Sequence, residues 1–260
     1  MKQRIMTAMV LLAVFIPLLI YGGMPFQILG FVAVFVATLE MIAMRNNVRT
    51  MTSDSKSFTI LFALWVGFDV GVSIWIAAIL AVYIIFLIGP AVSRKELSKS
   101  DIGFMLFTIL YIGMSFRALL AIRNAGLLLF LFLALVVIIC DSAAYFIGKK
   151  FGKTKLIPTI SPNKTVAGSV GGLLIATSTG VAFVLFTDLS SQAIILIPMS
   201  FILPVVSQIG DLLASKLKRK HKIKDFGKIF PGHGGVLDRV DSMMLAGLVL
   251  YLVMGVFTGA

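Results

Sequence analysis

Residues 125–147 read AGLLLFLFLALVVIICDSAAYFI, an apolar run in which Asp141 is the one charged side chain. An α-helix needs about 20 mostly apolar residues to cross the hydrocarbon core of a bilayer, so this run is long enough to span a membrane. The whole chain has the same character, because apolar residues fill 59% of its 260 positions and charged residues only 13%. A soluble domain could not bury so many long apolar runs, and the bilayer is the simpler solvent for them.

Eight further runs flank this one, and together they predict an all-α, polytopic integral membrane protein with about nine transmembrane helices. The block 58–89 is too long for one ordinary crossing, so we divide it into two spans. The predicted spans are 5–21, 26–44, 58–68, 72–89, 102–118, 125–147, 168–187, 192–214 and 239–258. We expect residues 1–124 to form a membrane scaffold that also offers dimer contacts. Residues 125–260 form a predicted catalytic half, with loops 148–167 and 215–238 outside the membrane.

The distribution of basic residues predicts the orientation of these helices. The net charge is +12, and with nine alternating spans nearly all Lys and Arg fall on one side. Only Arg117 and Arg123 fall on the other side. The positive-inside rule makes the basic side cytoplasmic, which places the C-terminus on the opposite face. Short basic loops of this kind attract anionic membrane lipids, and nucleic acid is not an expected partner.

Four of the eleven carboxylates lie within or beside an apolar run, toward its predicted cytoplasmic end: Asp141, Asp211, Asp238 and Asp241. A carboxylate there is costly unless it is paired, coordinated or facing water, so each is a functional candidate. Asp238 and Asp241 are three residues apart, which on a helix places their Cβ atoms about 5–6 Å from each other. Such oxygen ligands favour Mg²⁺ over zinc. The alternative is that each Asp pairs structurally with a nearby Lys or Arg.

Two loops carry residues suited to phosphate binding. Ser161, Lys164 and Thr165 precede a Gly-rich helix start, whose free N–H groups and positive dipole end favour an anion. The spacing is not that of a Walker A loop. The second loop ends in Pro-Gly-His-Gly-Gly at residues 231–235, where glycines allow backbone to approach a ligand closely. His233 in this loop is a candidate for proton transfer or for a hydrogen bond to phosphate. Together these features predict phosphoryl or nucleotidyl transfer on a lipid phosphate.

Residues 215–241 read SKLKRKHKIKDFGKIFPGHGGVLDRVD. This stretch resembles the signature of phosphatidate cytidylyltransferases, also called CDP-diacylglycerol synthases. The family pattern is S-x-φ-K-R, four residues, K-D, and then H-G-G-φ-x-D-R-φ-D, where φ is apolar, and every fixed position is present. Residues 141–168 resemble the family's second block, D-x-x-A-Y-x-x-G leading to S-P-x-K-T-x-E-G. Ala167 stands where that block usually has glutamate.

The resemblance implies conversion of CTP and phosphatidic acid to CDP-diacylglycerol and pyrophosphate. It implies Mg²⁺ as cofactor, with K⁺ as a second cation, and a homodimer in a bacterial inner membrane. From the residues themselves, we expect Asp211, Asp238 and Asp241 to hold this metal. The other catalytic candidates are Lys218, Arg219, Lys224, Asp225, His233 and Arg239. The substrate-binding candidates are Asp141, Ser161, Lys164, Thr165, Ser215, Gly234 and Gly235.

Three other functions fit parts of the sequence. A CTP-dependent polyprenol or lipid kinase would use the same substrate classes but release CDP instead of pyrophosphate. A CDP-alcohol phosphotransferase is less favoured, because its D-G-x-x-A-R motif is absent and the chain has no Asp-Gly pair. An ion-coupled transporter usually holds its carboxylates near the bilayer midplane in broken helices. Here they cluster at one edge, beside basic loops.

Overall fold

The computed structural model describes residues 2–68 and 98–258, which form a bundle of helices with one small β-hairpin. The helices before the hairpin are α1 (Lys2–Tyr21), α2 (Gly23–Asn46), α3 (Ser53–Gly67), α4 (Lys99–Thr108), α5 (Ser115–Ala125) and α6 (Leu127–Phe151). A π-helical segment, Ile109–Met114, joins α4 to α5. The hairpin consists of β1 (Lys155–Ile157) and β2 (Ser161–Thr165). After it come α7 (Val166–Leu185), a 3₁₀ turn (Asp188–Gln192), α8 (Ala193–Lys220) and α9 (Leu237–Thr258).

The helices confirm the predicted fold class. Among the described residues, six helical segments are long and apolar enough to cross a membrane, and the chain is an integral membrane protein. These segments are Gly23–Asn46, Ser100–Ala125, Leu127–Phe151, Val166–Leu185, Asp188–Lys220 and Leu237–Phe257. A shorter apolar helix covers Ile5–Tyr21, and α3 overlaps the predicted span 58–68. The predicted span 72–89 lies outside the described residues, so the count of nine stays a prediction.

Polar side chains fix where several helices begin. The Thr52 hydroxyl accepts a hydrogen bond from the Ser55 N–H and caps α3. Ser98 and Asp101 form a reciprocal capping box at the start of α4. The Thr165 hydroxyl accepts from the Gly168 N–H at 3.1 Å and caps α7. These contacts satisfy N–H groups that have no partner within the helix, which explains why the helices start at these positions.

A buried ion pair joins α2 to α4. The Arg45 guanidinium donates to the Asp101 carboxylate at 2.7 Å, and both side chains are at least 90% buried. Arg49, just beyond the end of α2, lies 3.4 Å from the other oxygen of Asp101. Because both charges are paired, the contact fixes the end of α2 against the start of α4.

Small residues allow α6 and α7 to pack closely. Gly168, Gly172 and Gly180 lie on one face of α7, and the Ala144 backbone of α6 lies directly against the first two. Gly180 contacts Val136 of α6 and Ser200 of α8. Close approach through small residues is a common way for transmembrane helices to pack, because apolar side chains gain little by leaving lipid.

The two predicted loops are shorter than expected. Helix α6 continues to Phe151, and the rest of the predicted loop 148–167 contains the β-hairpin, with Lys155 opposite Thr165 and Ile157 opposite Ser161. Helix α8 continues to Lys220, well into the predicted loop 215–238. The hairpin, through its paired backbone groups, fixes the position of residues that the sequence predicts only to lie in loops. The extra helical turns do the same.

We predict that Gly172→Ala lowers the stability of the bundle by about 1–3 kcal/mol, because overpacking has costs of that order. A Cβ atom at Gly172 would lie 2.7 Å from the Cys140 carbonyl oxygen and 2.9 Å from the Ala144 Cβ. The measurement is the thermal unfolding midpoint of the detergent-solubilised protein. Gly103→Ala is the control, since no described atom lies within 4 Å of a Cβ there. Equal midpoints for the two variants would contradict the close packing of α6 and α7.

Candidate active site

The segment 221–236 connects α8 to α9, and we term it the signature loop. It contains a tight turn, in which the Phe230 N–H donates to the Gly234 carbonyl at 2.9 Å and the His233 N–H donates to the Phe230 carbonyl at 2.8 Å. Gly232 and Gly234 have φ angles of 76° and 82°. Side chains other than glycine rarely adopt this region, so the turn requires these two glycines. The role of Gly234 seen in the structure is therefore to shape the loop.

Asp238, in the first turn of α9, holds this loop in place. One carboxylate oxygen accepts a hydrogen bond from Lys218 Nζ of α8 at 2.8 Å. The other accepts from the Phe226 N–H at 2.7 Å and from the Gly235 N–H at 3.0 Å. The Asp238 side chain is only 4% exposed, and Lys218 Nζ also lies 5.0 Å from the centre of the Phe226 ring. Both oxygens of Asp238 are thus already bonded to the protein.

Three further carboxylates gather next to Asp238 from three different helices. Asp241 of α9 interacts electrostatically with Asp211 of α8, and its Oδ2 lies 3.8 Å from Lys218 Nζ. Asp141 of α6 lies near the Ser242 hydroxyl and also interacts electrostatically with Asp211. Sequence spacing related only Asp238 to Asp241, whereas the fold adds Asp211 and Asp141 to the same cluster.

Lys164 on β2 completes this cluster. Its ammonium group forms a salt bridge with Asp211, whose other oxygen lies 3.4 Å from the Ser215 hydroxyl. Lys164 also interacts electrostatically with Asp141. The hairpin therefore brings one predicted phosphate-binding cation to the carboxylates. Thr165 is buried as the cap of α7, so the structure shows a structural role for its hydroxyl.

Four further predicted residues lie farther out, on the signature loop or on the helical turns beside it. Their side chains are exposed: Arg219, Lys224, Asp225 and Arg239. The only side-chain hydrogen bond that the described residues show for these four is a long one, from Arg219 to the Ile223 carbonyl at 3.4 Å. The Nδ1 atom of His233 is buried and has no partner among the described residues. Its role in proton transfer or in phosphate binding stays a prediction.

The donor set fits a magnesium ion when substrate is present. Within the described part of the chain, no group of three or more His, Cys, Asp or Glu has a geometry that would hold a metal ion by itself. Mg²⁺ is usually bound by one or two carboxylates together with substrate phosphates and water. Asp211 and Asp241 supply two such carboxylates from facing helices. Asp238 fits this role less well, because a cation at its Oδ1 would have to displace Lys218.

The sequence gives no indication that two further residues lie near the site. Glu40 of α2 accepts hydrogen bonds from the Val236 N–H at 2.9 Å and the Leu237 N–H at 3.0 Å. Tyr111 is in the π-helical segment, and its buried hydroxyl has no hydrogen-bond partner among the described residues. Tyr111 lies within electrostatic range of Asp241 and Asp211. A single irregular turn of this type is frequent at functional sites, but the sequence pattern of an apolar helix conceals it.

Comparison with known proteins shows the family of the chain. The model of the "Cytidylyltransferase family" matches residues 2–257 of the chain. The chain belongs to the cytidylyltransferase family. Within the family, it is 36% identical to the "Phosphatidate cytidylyltransferase" of Bacillus subtilis over 270 aligned positions, which cover 99% of both chains. It is also 36% identical to the protein of that name from Staphylococcus saprophyticus, over 94% of this chain and 95% of the relative.

We predict that Lys218→Met destabilises this cytidylyltransferase family member by about 3 kcal/mol or more, because removing one partner leaves a buried charge uncompensated. The thermal unfolding midpoint in detergent measures the effect. Lys220→Met is the matched control, since Lys220 is exposed two residues further along α8. A midpoint for Lys218→Met equal to that of Lys220→Met would show that Lys218 does not hold Asp238.

Proposed function

We propose that the chain is a phosphatidate cytidylyltransferase, which converts CTP and phosphatidic acid to CDP-diacylglycerol and pyrophosphate. The observation that carries this proposal is the complete 215–241 pattern, folded around Asp238 so that Asp241 lies next to Asp211. The relatives of this name align with nearly the whole chain, which supports the same reaction.

The reaction exchanges one phosphoanhydride bond for another. An oxygen of the lipid phosphate attacks the α-phosphorus of CTP, and the bond from that phosphorus to the bridging oxygen of the β-phosphate breaks. Pyrophosphate leaves with the electron pair. The lipid phosphate is already anionic at neutral pH, so no strong general base is required. Catalysis then depends on alignment of the two phosphates and on neutralisation of their charge.

The carboxylate pair Asp211 and Asp241 would hold Mg²⁺, which supplies Lewis-acid neutralisation of the phosphate oxygens when it is bound. Asp141 lies close enough to support this pair, and K⁺ as a second cation would use the same carboxylates. Asp238 organises the site by keeping Lys218 and the signature loop in position.

Lys164 and Lys218 are the cations best placed to bind the triphosphate. In the structure each is paired with a carboxylate of the cluster, Lys164 with Asp211 and Lys218 with Asp238. A bound triphosphate offers both lysines stronger acceptors than a single carboxylate does. Transfer of Lys164 to phosphate would release Asp211 for the cation. His233, Ser161 and the exposed basic residues in and beside the signature loop would bind the outer phosphates or the lipid headgroup.

The reaction is expected at the cytoplasmic face of a bacterial inner membrane, where CTP is available. Carboxylates of α6, α8 and α9 lie at the end of the bundle that carries the hairpin and the signature loop, so a lipid phosphate at headgroup level can reach them. Contact with surrounding membrane lipids follows from the apolar helices, and a homodimer is proposed on the family resemblance.

We predict that the purified protein releases pyrophosphate and forms a cytidine-labelled lipid from phosphatidic acid and α-labelled CTP. Asp241→Asn should reduce this rate by about 100-fold or more, since it weakens charge stabilisation at the reacting phosphates. Asp188→Asn is the control, because Asp188 is exposed at the opposite end of α7. Release of CDP with transfer of the γ-phosphate would instead indicate a lipid kinase. Full activity in Asp241→Asn would contradict the assignment of this carboxylate.

We also predict that the activity disappears in excess EDTA and returns when Mg²⁺ is added. Asp211→Asn should raise the Mg²⁺ concentration for half-maximal rate, whereas Asp238→Asn should mainly lower the thermal unfolding midpoint, because its carboxylate is bonded to the loop. Titration of both variants with Mg²⁺, together with thermal unfolding, separates the two roles. The same shift in Mg²⁺ dependence for both variants would make Asp238 a ligand as well.

A further inference from the structure

Glu40 is a buried carboxylate on α2, only 5% exposed, far from the signature loop in sequence and in contact with it in the fold. Its two oxygens accept from successive backbone groups, Oε1 from the Val236 N–H and Oε2 from the Leu237 N–H. These N–H groups lie at the start of α9, where a helix has no internal partners for them. Glu40 therefore caps α9 from a different helix, and its negative charge lies at the positive end of the helix dipole.

The signature loop has the shape needed to accept this carboxylate. A Cβ atom at either Gly227 or Gly235 would overlap the carboxylate of Glu40. The space beside Gly235, which the sequence assigned to substrate, is occupied by Glu40 in the structure. No salt bridge to Glu40 occurs among the described residues, so backbone N–H groups are the partners seen for its charge.

Glu40 and Asp238 act on neighbouring parts of one turn. Asp238 accepts from the Gly235 N–H, and Glu40 accepts from the next two N–H groups in the chain. Three successive donors are thus fixed by two carboxylates, one from α9 itself and one from α2. The direction in which α9 leaves the loop follows from these bonds. Asp241 lies one turn into α9, so this direction decides where its carboxylate lies relative to Asp211.

We propose that Glu40 is a positioning residue for cytidylyl transfer, which holds Asp241 opposite Asp211 by capping the start of α9. The effect of Glu40 on catalysis rests on the proposed function, whereas its hydrogen bonds to the start of α9 do not. Glutamine cannot replace Glu40 fully, because its amide has one acceptor oxygen and presents an N–H donor to the second backbone N–H. Loss of an outer partner that orients a ligating residue typically costs about 10–100-fold in activity or metal affinity.

The test compares Glu40→Gln with Asp101→Asn in lipid nanodiscs, by hydrogen–deuterium exchange and by steady-state kinetics. Asp101→Asn is a matched control. It removes a buried carboxylate of α4 that is bound to Arg45 on α2, the helix that also carries Glu40, but it does not touch the signature loop. Exchange is measured without metal or nucleotide. In Glu40→Gln we expect faster exchange in peptides covering 226–241 and a kcat about 10–100-fold lower, with KM for CTP changed less than kcat. Asp101→Asn should leave exchange in 226–241 unchanged and kcat within about twofold.

Two further variants keep the test decisive. Glu40→Asp retains the charge and can still reach one N–H group, so it should give an intermediate loss of kcat even if Glu40→Gln does not fold. Arg49→Gln replaces Asp101→Asn if that control does not fold. Arg49 is half-exposed and takes part in the same ion pair, with its Nε 3.4 Å from the Asp101 carboxylate. Unchanged exchange in 226–241 in the Glu40 variants, or equal loss of kcat in Glu40→Gln and the control, would overturn the positioning role. Release of CDP in place of pyrophosphate by the unaltered protein would overturn the proposed function and leave the exchange result for Glu40 standing.

Discussion

The carboxylate of Asp238 is the contact on which the rest of the site depends. It joins the end of α8, through Lys218, to the backbone of the signature loop, through Phe226 and Gly235. A buried carboxylate must be compensated, and here one ammonium group and two N–H groups provide that compensation. Because Asp238 is itself in the first turn of α9, these bonds also fix the start of the helix that carries Asp241.

The cluster next to Asp238 consists of carboxylates balanced by lysines. Asp211 is paired with Lys164 and Asp241 lies near Lys218, so the protein supplies the positive charge in the absence of substrate. A triphosphate and a divalent cation bring matching charges to the same place. In the proposed reaction, binding would be an exchange of ion pairs, in which the lysines bind phosphate and the carboxylates bind the cation. This exchange would lower the free-energy cost of keeping four carboxylates at the end of apolar helices.

Much of this could be predicted from sequence, because local spacing determines it. The apolar runs predicted the helices, and the interval between Asp238 and Asp241 predicted that both lie on one helix near the membrane edge. Which group each carboxylate oxygen binds could not be predicted, because it depends on tertiary packing. Asp238, expected among the metal ligands, is bonded to Lys218 and the loop, and Glu40 contacts Val236, 196 positions away. The hairpin was also missed, because Ser-Pro-Asn-Lys-Thr at 161–165 has little strand propensity.

In the proposed mechanism, Asp211 and Asp241 hold the cation while Asp238 holds the loop. The most direct measurement is a structure of the protein in lipid nanodiscs with Mg²⁺ and a non-reactive CTP analogue. We expect density for the cation between Asp211 and Asp241, with Lys164 and Lys218 on the triphosphate and the Phe226 and Gly235 N–H groups still bonded to Asp238. A cation bound to Asp238 with those loop bonds broken, or a nucleotide bound away from the hairpin, would contradict the account.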